Sequence, residues 1–293
     1  MKIACVGECM VEMRRLADGT YARGHGGDTL NTATYLARLG QVVDYVTAVG
    51  DDAWSRDMLA AWSAEGIGTG HVRRLAGRLP GLYVIETDAK GERRFLHWRK
   101  ESPARELFSG PDVPDLSGYD LIYFTGITLS LYGVQGRAAF LQQVEAAKAK
   151  GTRIAFDTNY RDRNWTSHDE ARAAYAEIFP LTDFLFVAPD DIAHLFSPEE
   201  VRLRSQPVEM VFKQHEPACI VIAGGSETLV RANPVAEVVD TTAAGDSFAA
   251  AYLAARLAGA SAIAAAERGH ALAGIVVQHP GAIIARDKMP KPA

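Results

Sequence analysis

Two stretches of the chain carry residue types that can do chemistry at a fixed spacing. The first is Val239-Asp240-Thr241-Thr242-Ala243-Ala244-Gly245-Asp246-Ser247-Phe248. An apolar strand end runs into a turn of small residues, and an Ala-rich helix pattern follows. A helix start offers N–H groups without intrahelical partners and the positive end of the helix dipole. Small residues let an anion approach that backbone closely. Asp246 falls in the first turn, where its carboxylate can face the same anion. Backbone that holds a transferring phosphate, with a carboxylate to take the proton of the attacking hydroxyl, is what phosphoryl transfer needs. The same pattern also fits a plain Asp- or Thr-capped helix start, and physics alone leaves both readings open.

The second stretch is Gly24-His25-Gly26-Gly27-Asp28-Thr29-Leu30-Asn31-Thr32-Ala33. Its glycines let a hydroxylated ligand touch backbone, with Asp28 and Asn31 as hydrogen-bonding groups. It is neither a Walker A motif nor GxGxxG. A turn before a capped helix is the alternative. The arginines Arg99 and Arg161 matter because a planar guanidinium pairs with a carboxylate in bidentate fashion. Arg161 follows the strand-like run Ile154 to Asp157, near that strand's carboxyl end.

These residues need a scaffold, and the pattern around them supplies one. Strand-like and helix-like segments alternate from end to end. Ile3 to Val6, Val42 to Val49, Leu121 to Phe124, Ile154 to Asp157, Phe184 to Val187 and Cys219 to Ala223 read as strands. Helix patterns follow Asp28 or Thr29 as caps and span Trp54 to Glu65, Val134 to Ala149, His168 to Ile178, Gly245 to Leu257 and Ile263 to Val277. Such alternation predicts βαβ units, a mostly parallel sheet and helices on both faces. Ligands in such sheets lie beyond the carboxyl ends of the strands. Between Pro80 and Arg99 the pattern changes: Leu82 to Glu86 and Arg94 to Arg99 flank Asp88-Ala89-Lys90-Gly91, a hairpin signal. This predicts a small sheet beside the main one.

Composition narrows the functional classes. The 293 residues are 48% hydrophobic and 23% charged, with net charge −5. That is a folded globular chain without the basic surface of a general nucleic-acid binder. Cys5, Cys9 and Cys219 make neither a disulfide framework nor a zinc motif, and suggest a reducing compartment. The histidines form no HxxxH or HxH pattern. No segment reads as a membrane span or signal peptide, so a cytoplasmic location is expected.

Taken together, the two stretches resemble the two signatures of the PfkB/ribokinase family of carbohydrate kinases. The first signature is similar at Gly26-Gly27 through Asn31, Ala33 and Ala37-Arg38-Leu39-Gly40; the second at Asp240 to Phe248, with Ala243 where Gly is common. Gly7-Glu8-Cys9-Met10, Leu79-Pro80-Gly81-Leu82-Tyr83, Asp157-Thr158-Asn159-Tyr160-Arg161 and Gly281-Ala282-Ile283-Ile284 resemble the 2-keto-3-deoxygluconate kinase branch.

The resemblance implies one ribokinase-like α/β domain over residues 1–293, with a β-sheet lid from about 8–25 and 80–100. It implies Asp246 as catalytic base and the amides of Ala243, Ala244 and Gly245 as an anion hole. Arg99 and Arg161 would bind the keto-acid, and Gly26, Gly27, Asp28, Asn31, Tyr83 and the backbone at Ile127 would line its pocket. Gly224, Thr242 and Gly245 would contact the nucleotide. ATP and Mg2+ are the implied cofactors, a small sugar acid the partner, and association through the lid the implied oligomer.

Three departures stand out. Ala188-Pro189-Asp190-Asp191-Ile192 lacks the Asn and Glu of the family's NxxE motif, so metal ligands are not assigned. The strand Cys219 to Gly224 resembles the nucleotide-side strand but has Ile222 where relatives carry Lys. Only Gly225 to Val239 then separates it from Asp240, too little for the hairpin that flanks the nucleotide in relatives. The expected activity is phosphorylation of the terminal hydroxyl of 2-keto-3-deoxygluconate. Fructose or another sugar as substrate, and a sugar-acid-binding protein without catalysis, are the alternatives.

Overall fold

The computed structural model describes residues 1–16, 18–87, 93–110, 112–205, 209–214 and 216–290. The hairpin turn expected at Asp88-Ala89-Lys90-Gly91 lies outside the described residues. Strands β1 (Lys2–Val6), β2 (Met10–Arg15), β3 (Tyr21–Gly26), β4 (Val42–Val46), β5 (Ala48–Val49), β6 (Arg73–Arg74) and β7 (Leu82–Thr87) come first. Then follow β8 (Arg93–Trp98), β9 (Leu121–Thr125), β10 (Arg153–Asp157), β11 (Phe184–Val187), β12 (Glu209–Lys213), β13 (Ala218–Ala223) and β14 (Ser226–Arg231). The helices are α1 (Asp28–Arg38), α2 (Ala53–Ala64), α3 (Gly126–Leu131), α4 (Val134–Ala149), α5 (His168–Ile178), α6 (Pro189–Ile192), α7 (Pro198–Arg204), α8 (Ala244–Leu257) and α9 (Ala262–Val276).

An eight-stranded sheet runs β14-β13-β12-β11-β10-β9-β1-β4. It is parallel from β4 to β12, and β13 and β14 add an antiparallel edge. The central strands β9, β10 and β11 are largely apolar because both faces are covered, whereas the edge strand β14 is polar and mostly exposed. Successive residues alternate between two cores: Ile3, Cys5, Leu121 and Tyr123 on one side, Ala4, Val6, Ile122 and Phe124 on the other. The first core is closed by α1, α2, α8 and α9 through Leu30, Trp62, Phe248 and Leu272. The second is closed by α4, α5 and α7 through Phe140, Tyr175 and Val201. Where α8 meets α9, a Cβ on Gly269 would lie 2.7 Å from the Phe248 ring, so only glycine allows this approach. No described helix is long and apolar enough to cross a membrane.

A separate four-stranded sheet, β3-β2-β7-β8, stands beside the first. Its register places Glu12, Tyr83 and His97 in one cross-strand row. This is the small sheet expected from the hairpin signal.

Two expectations change. The strand expected over Val42 to Val49 is two strands, β4 and β5, the second paired with β6. The last parallel strand beside β11 is β12, not the Cys219 strand. Cys219 lies on β13, which turns back antiparallel against β12 and pairs with β14. A hairpin of β13 and β14 thus follows β12, and a lysine, Lys213, closes β12.

Candidate active site

The carboxyl ends of the parallel strands open into a cavity of about 570 Å³. Asp157 reaches it from the end of β10, Ala188 from just beyond β11 and Lys213 from the end of β12. The starts of α1 and α8 close it, bringing Asp28 and Asn31 against Thr241 to Asp246. The small sheet contributes Tyr83, Phe95 and His97. Of the residues picked from sequence, Gly26, Gly27, Asp28, Asn31, Tyr83, Ile127, Arg161, Thr242, Ala243, Ala244, Gly245 and Asp246 all line this one space.

Asp246 is the electrostatic centre. Asn31 Nδ2 donates to its Oδ2 at 2.8 Å. Burial, with the negative charge of Asp28 next, pushes the Asp246 carboxyl up to about 8; the Asn31 hydrogen bond and the Lys213 ammonium pull the other way. Lys213 Nζ also sits 2.7 Å from Asp157 Oδ2. A Cβ on Gly245 would come 3.2 Å from Lys213 Nζ, so the ammonium stands against the first turn of α8. One ammonium thus serves a group of three carboxylates: Asp28, Asp157 and Asp246.

The turn before α8 is held in an uncommon shape. Ala243 caps the helix in the left-handed region, at φ 61° and ψ 15°. Asp240, itself buried, holds the turn: its Oδ1 accepts from Thr242 N at 2.9 Å and Thr242 Oγ1 at 2.7 Å, and its Oδ2 from Gly281 N at 2.7 Å. The amides of Ala243 and Gly245 donate to no backbone carbonyl among the described residues, whereas Ala244 N donates to Thr241 O at 3.2 Å. Two of the three expected anion-hole amides are open, and the third is engaged within the turn.

Asp28 is not a helix cap. Gly27 holds that position, and a Cβ there would lie 2.1 Å from the Glu8 carbonyl oxygen. The Asp28 carboxylate is instead turned to the site, where Oδ2 accepts from Thr125 Oγ1 at 2.6 Å and Asn159 Nδ2 at 2.7 Å. Asn159 is itself strained, at φ 27°. Asn31, Asp28 and Asn159 therefore form a fixed polar wall suited to hydroxyl groups.

The two arginines differ from expectation. Arg161 lines the cavity, but its Nη1 is already 2.9 Å from Asp191 Oδ2. Arg99 does not line the cavity of Asp246; it borders a smaller recess beside it. It lies 2.5 Å from the buried carboxylate of Glu8, which draws it toward the junction of the two sheets. Gly224 also departs: it forms the β13–β14 turn at φ 57° and borders neither of these cavities. The residues missed from sequence are Lys213, Asp157, Asn159, Asp191 and Arg163. Lys213 had a signal, a charge closing the apolar run Met210 to Phe212 at a strand's carboxyl end. Among the described residues no three His, Cys, Asp or Glu side chains group as a metal cage.

The whole arrangement can bind a hydroxylated anion, hold a phosphate at a helix start and take up a proton. Comparison with known proteins gives the chain's relatives. The family described as "pfkB family carbohydrate kinase" matches residues 1–289. A 2-dehydro-3-deoxygluconokinase of Dickeya dadantii (strain 3937) is 43% identical over 306 aligned positions, covering 98% of each chain. A fructokinase of Klebsiella pneumoniae is 27% identical over 261 positions, covering 86% of this chain and 83% of its own. The crystal structure of a 2-dehydro-3-deoxygluconokinase from Thermotoga maritima superposes with TM-score 0.87 at 22% identity, covering 98% of both chains, which establishes the ribokinase-like fold.

Proposed function

Because the chain belongs to the pfkB family of carbohydrate kinases, we propose that it transfers the γ-phosphate of ATP to the terminal hydroxyl of 2-keto-3-deoxygluconate. The observation that carries this is one cavity holding the half-buried Asp246 carboxylate, the open amides at the start of α8 and the cationic side chains Arg161, Arg163 and Lys213. The polar wall of Asp28, Asn31 and Asn159 takes the sugar hydroxyls. The hydroxyl oxygen attacks the γ-phosphorus, its proton passes to Asp246, and the bond to the β–γ bridging oxygen breaks to release ADP. The amides of Ala243 and Gly245 and the Lys213 ammonium stabilise the charge on the transferred group.

A second cavity, of about 480 Å³, borders Asn233, Val235, His270 and Gln278. Chain segments continue from it into the first cavity through Thr241 and through Ala282. It is the place for the nucleoside end of ATP. Mg2+ taken chiefly by phosphate oxygens and water needs no protein cage; Asp191 and Asp157 are the lining carboxylates that can support it. The small sheet acts as a lid that excludes water, which competes with the sugar for the phosphate. A second copy of the chain covers Tyr21 and Trp98, which are exposed on that sheet. The reaction belongs in the cytoplasm, where ATP is supplied.

The deciding experiment is ADP release with ATP and Mg2+, comparing 2-keto-3-deoxygluconate with fructose at equal concentration. Turnover with the acid and little with fructose is expected. Turnover with fructose alone would leave the kinase standing and remove the acid from its role. No turnover with either would favour a binding protein.

A further inference from the structure

On the small sheet, Gly24, Glu12, Tyr83 and His97 stand opposite one another on β3, β2, β7 and β8. Tyr83 and His97 line the cavity of Asp246, whereas Glu12 does not. Glu12 is nonetheless half-buried, and among the described residues no cation lies within ion-pair distance of it. Its Oε2 accepts from the Tyr83 hydroxyl at 2.5 Å. The neighbouring strand leaves room for this pair. A Cβ on Gly26 would lie 2.5 Å from the Tyr83 oxygen, and one on Gly24 would lie 3.6 Å from Glu12 Oε1. The Tyr83 ring is held separately, stacked on His97 at 5.7 Å and 25°.

Most hydroxyl contacts can run in either direction, but this one cannot. A carboxylate has only acceptor atoms, so the phenol must be the donor. Burial first, then the charge and hydrogen bond of Glu12, push the Tyr83 hydroxyl well above its usual range, so it keeps its proton. With that proton committed, the phenol oxygen offers the cavity lone pairs alone. We propose that Glu12 is a positioning residue for the sugar: it holds the Tyr83 proton and leaves the phenol oxygen as a fixed acceptor for a substrate hydroxyl. This rests on the function proposed above. The pair thereby favours a hydroxyl over a carbonyl oxygen at that point, because a carbonyl there meets no donor. A negative charge behind a cavity for an acid is unfavourable in itself, and fixing the Tyr83 hydroxyl before the sugar arrives offsets that.

The test compares wild type, Glu12→Gln, Tyr83→Phe and the double variant. Calorimetric titration with 2-keto-3-deoxygluconate in the absence of nucleotide reads binding apart from catalysis. Steady-state kinetics read kcat and the KM for the acid and for ATP. A glutamine amide can turn either end to Tyr83, so the phenol is no longer held as acceptor. Glu12→Gln should lose about 3- to 10-fold in acid affinity, the effect of one hydrogen bond. Its kcat and KM for ATP stay within about twofold, as for binding shared by ground state and transition state. In the Tyr83→Phe background the same change should move acid affinity by less than about twofold, because its route is gone. An equal loss in both backgrounds would show that Glu12 shapes the sheet and does not act through Tyr83. Unchanged or tighter binding in Glu12→Gln, with wild type phosphorylating the acid, would remove the role and leave the function standing. If wild type neither binds nor phosphorylates the acid, the proposed function falls, and this inference with it.

Discussion

At Asp246 a carboxyl that must accept a proton sits among groups that oppose its ionisation. Burial and Asp28 raise its affinity for a proton, while Asn31 and Lys213 limit the rise. Two outcomes follow from the sign of this shift. The ligand-free enzyme governs kcat/KM, so activity falls on the acid side of about 8, well above an ordinary carboxylate. Lys213→Met removes the ammonium and moves that acid limb to higher pH, which a pH profile of kcat/KM reads. The second outcome concerns stability. A folded-state pKa above the unfolded value favours the native state at low pH, and this contribution is lost as pH rises through about 8. Asp246→Asn has no such loss. Its thermal midpoint should gain on that of wild type as pH rises from about 4 to about 8, while its kcat drops by about 10²- to 10⁴-fold. Full activity in this variant would remove Asp246 as base.

The start of α8 shows how an element can be bent to a purpose. The Ala-rich pattern specifies the helix, and nearly every residue from Ser247 to Ala255 is buried. Its cap residue, Ala243, holds φ 61°, where a Cβ costs about 1–2 kcal/mol. Asp240 offsets this cost by binding the turn and Gly281 together. Ala243→Gly should therefore keep its turnover and raise the thermal midpoint by a few degrees, measured by calorimetry. A fall in the midpoint would show that the methyl group packs better than its backbone is strained.

Across the molecule, one ion pair joins the two sheets. Glu8 follows β1 of the large sheet and Arg99 follows β8 of the small one. The Glu8 side chain is only 1% exposed, so removing its partner leaves a buried charge. Arg99→Ala should lower stability by about 3–5 kcal/mol in denaturant unfolding. The double variant Glu8→Gln/Arg99→Gln should recover part of that loss, because neither charge is then stranded. Equal losses in the single and double variants would mean that an unpaired Glu8 carries no cost of its own. The outer surface carries a separate expectation. Trp98 is 60% exposed on the small sheet, and Trp98→Glu should shift the sedimentation coefficient toward the monomer if a second copy covers it.

Much of this protein was legible along the chain because the causes were local. Apolar runs of four to six residues make strands wherever they lie, and small residues before an Ala-rich run make an open helix start. Gly26 to Asn31 and Thr242 to Asp246 of the cavity lining lie in two such stretches, while Tyr83 and Ile127 were expected only from the family resemblance. What the chain alone left open was set by partners distant in sequence. Strand β12 was overlooked because the Cys219 run is equally apolar, and only the pairing with β11 decides which of them is parallel. Lys213 reached the site by that pairing. Arg99, Arg161 and Arg163 are the same residue type in sequence. Folding brings Glu8 and Asp191 beside the first two, and His97 beside the third. Local pattern can name a charged residue, but the field around it is a sum over the folded molecule.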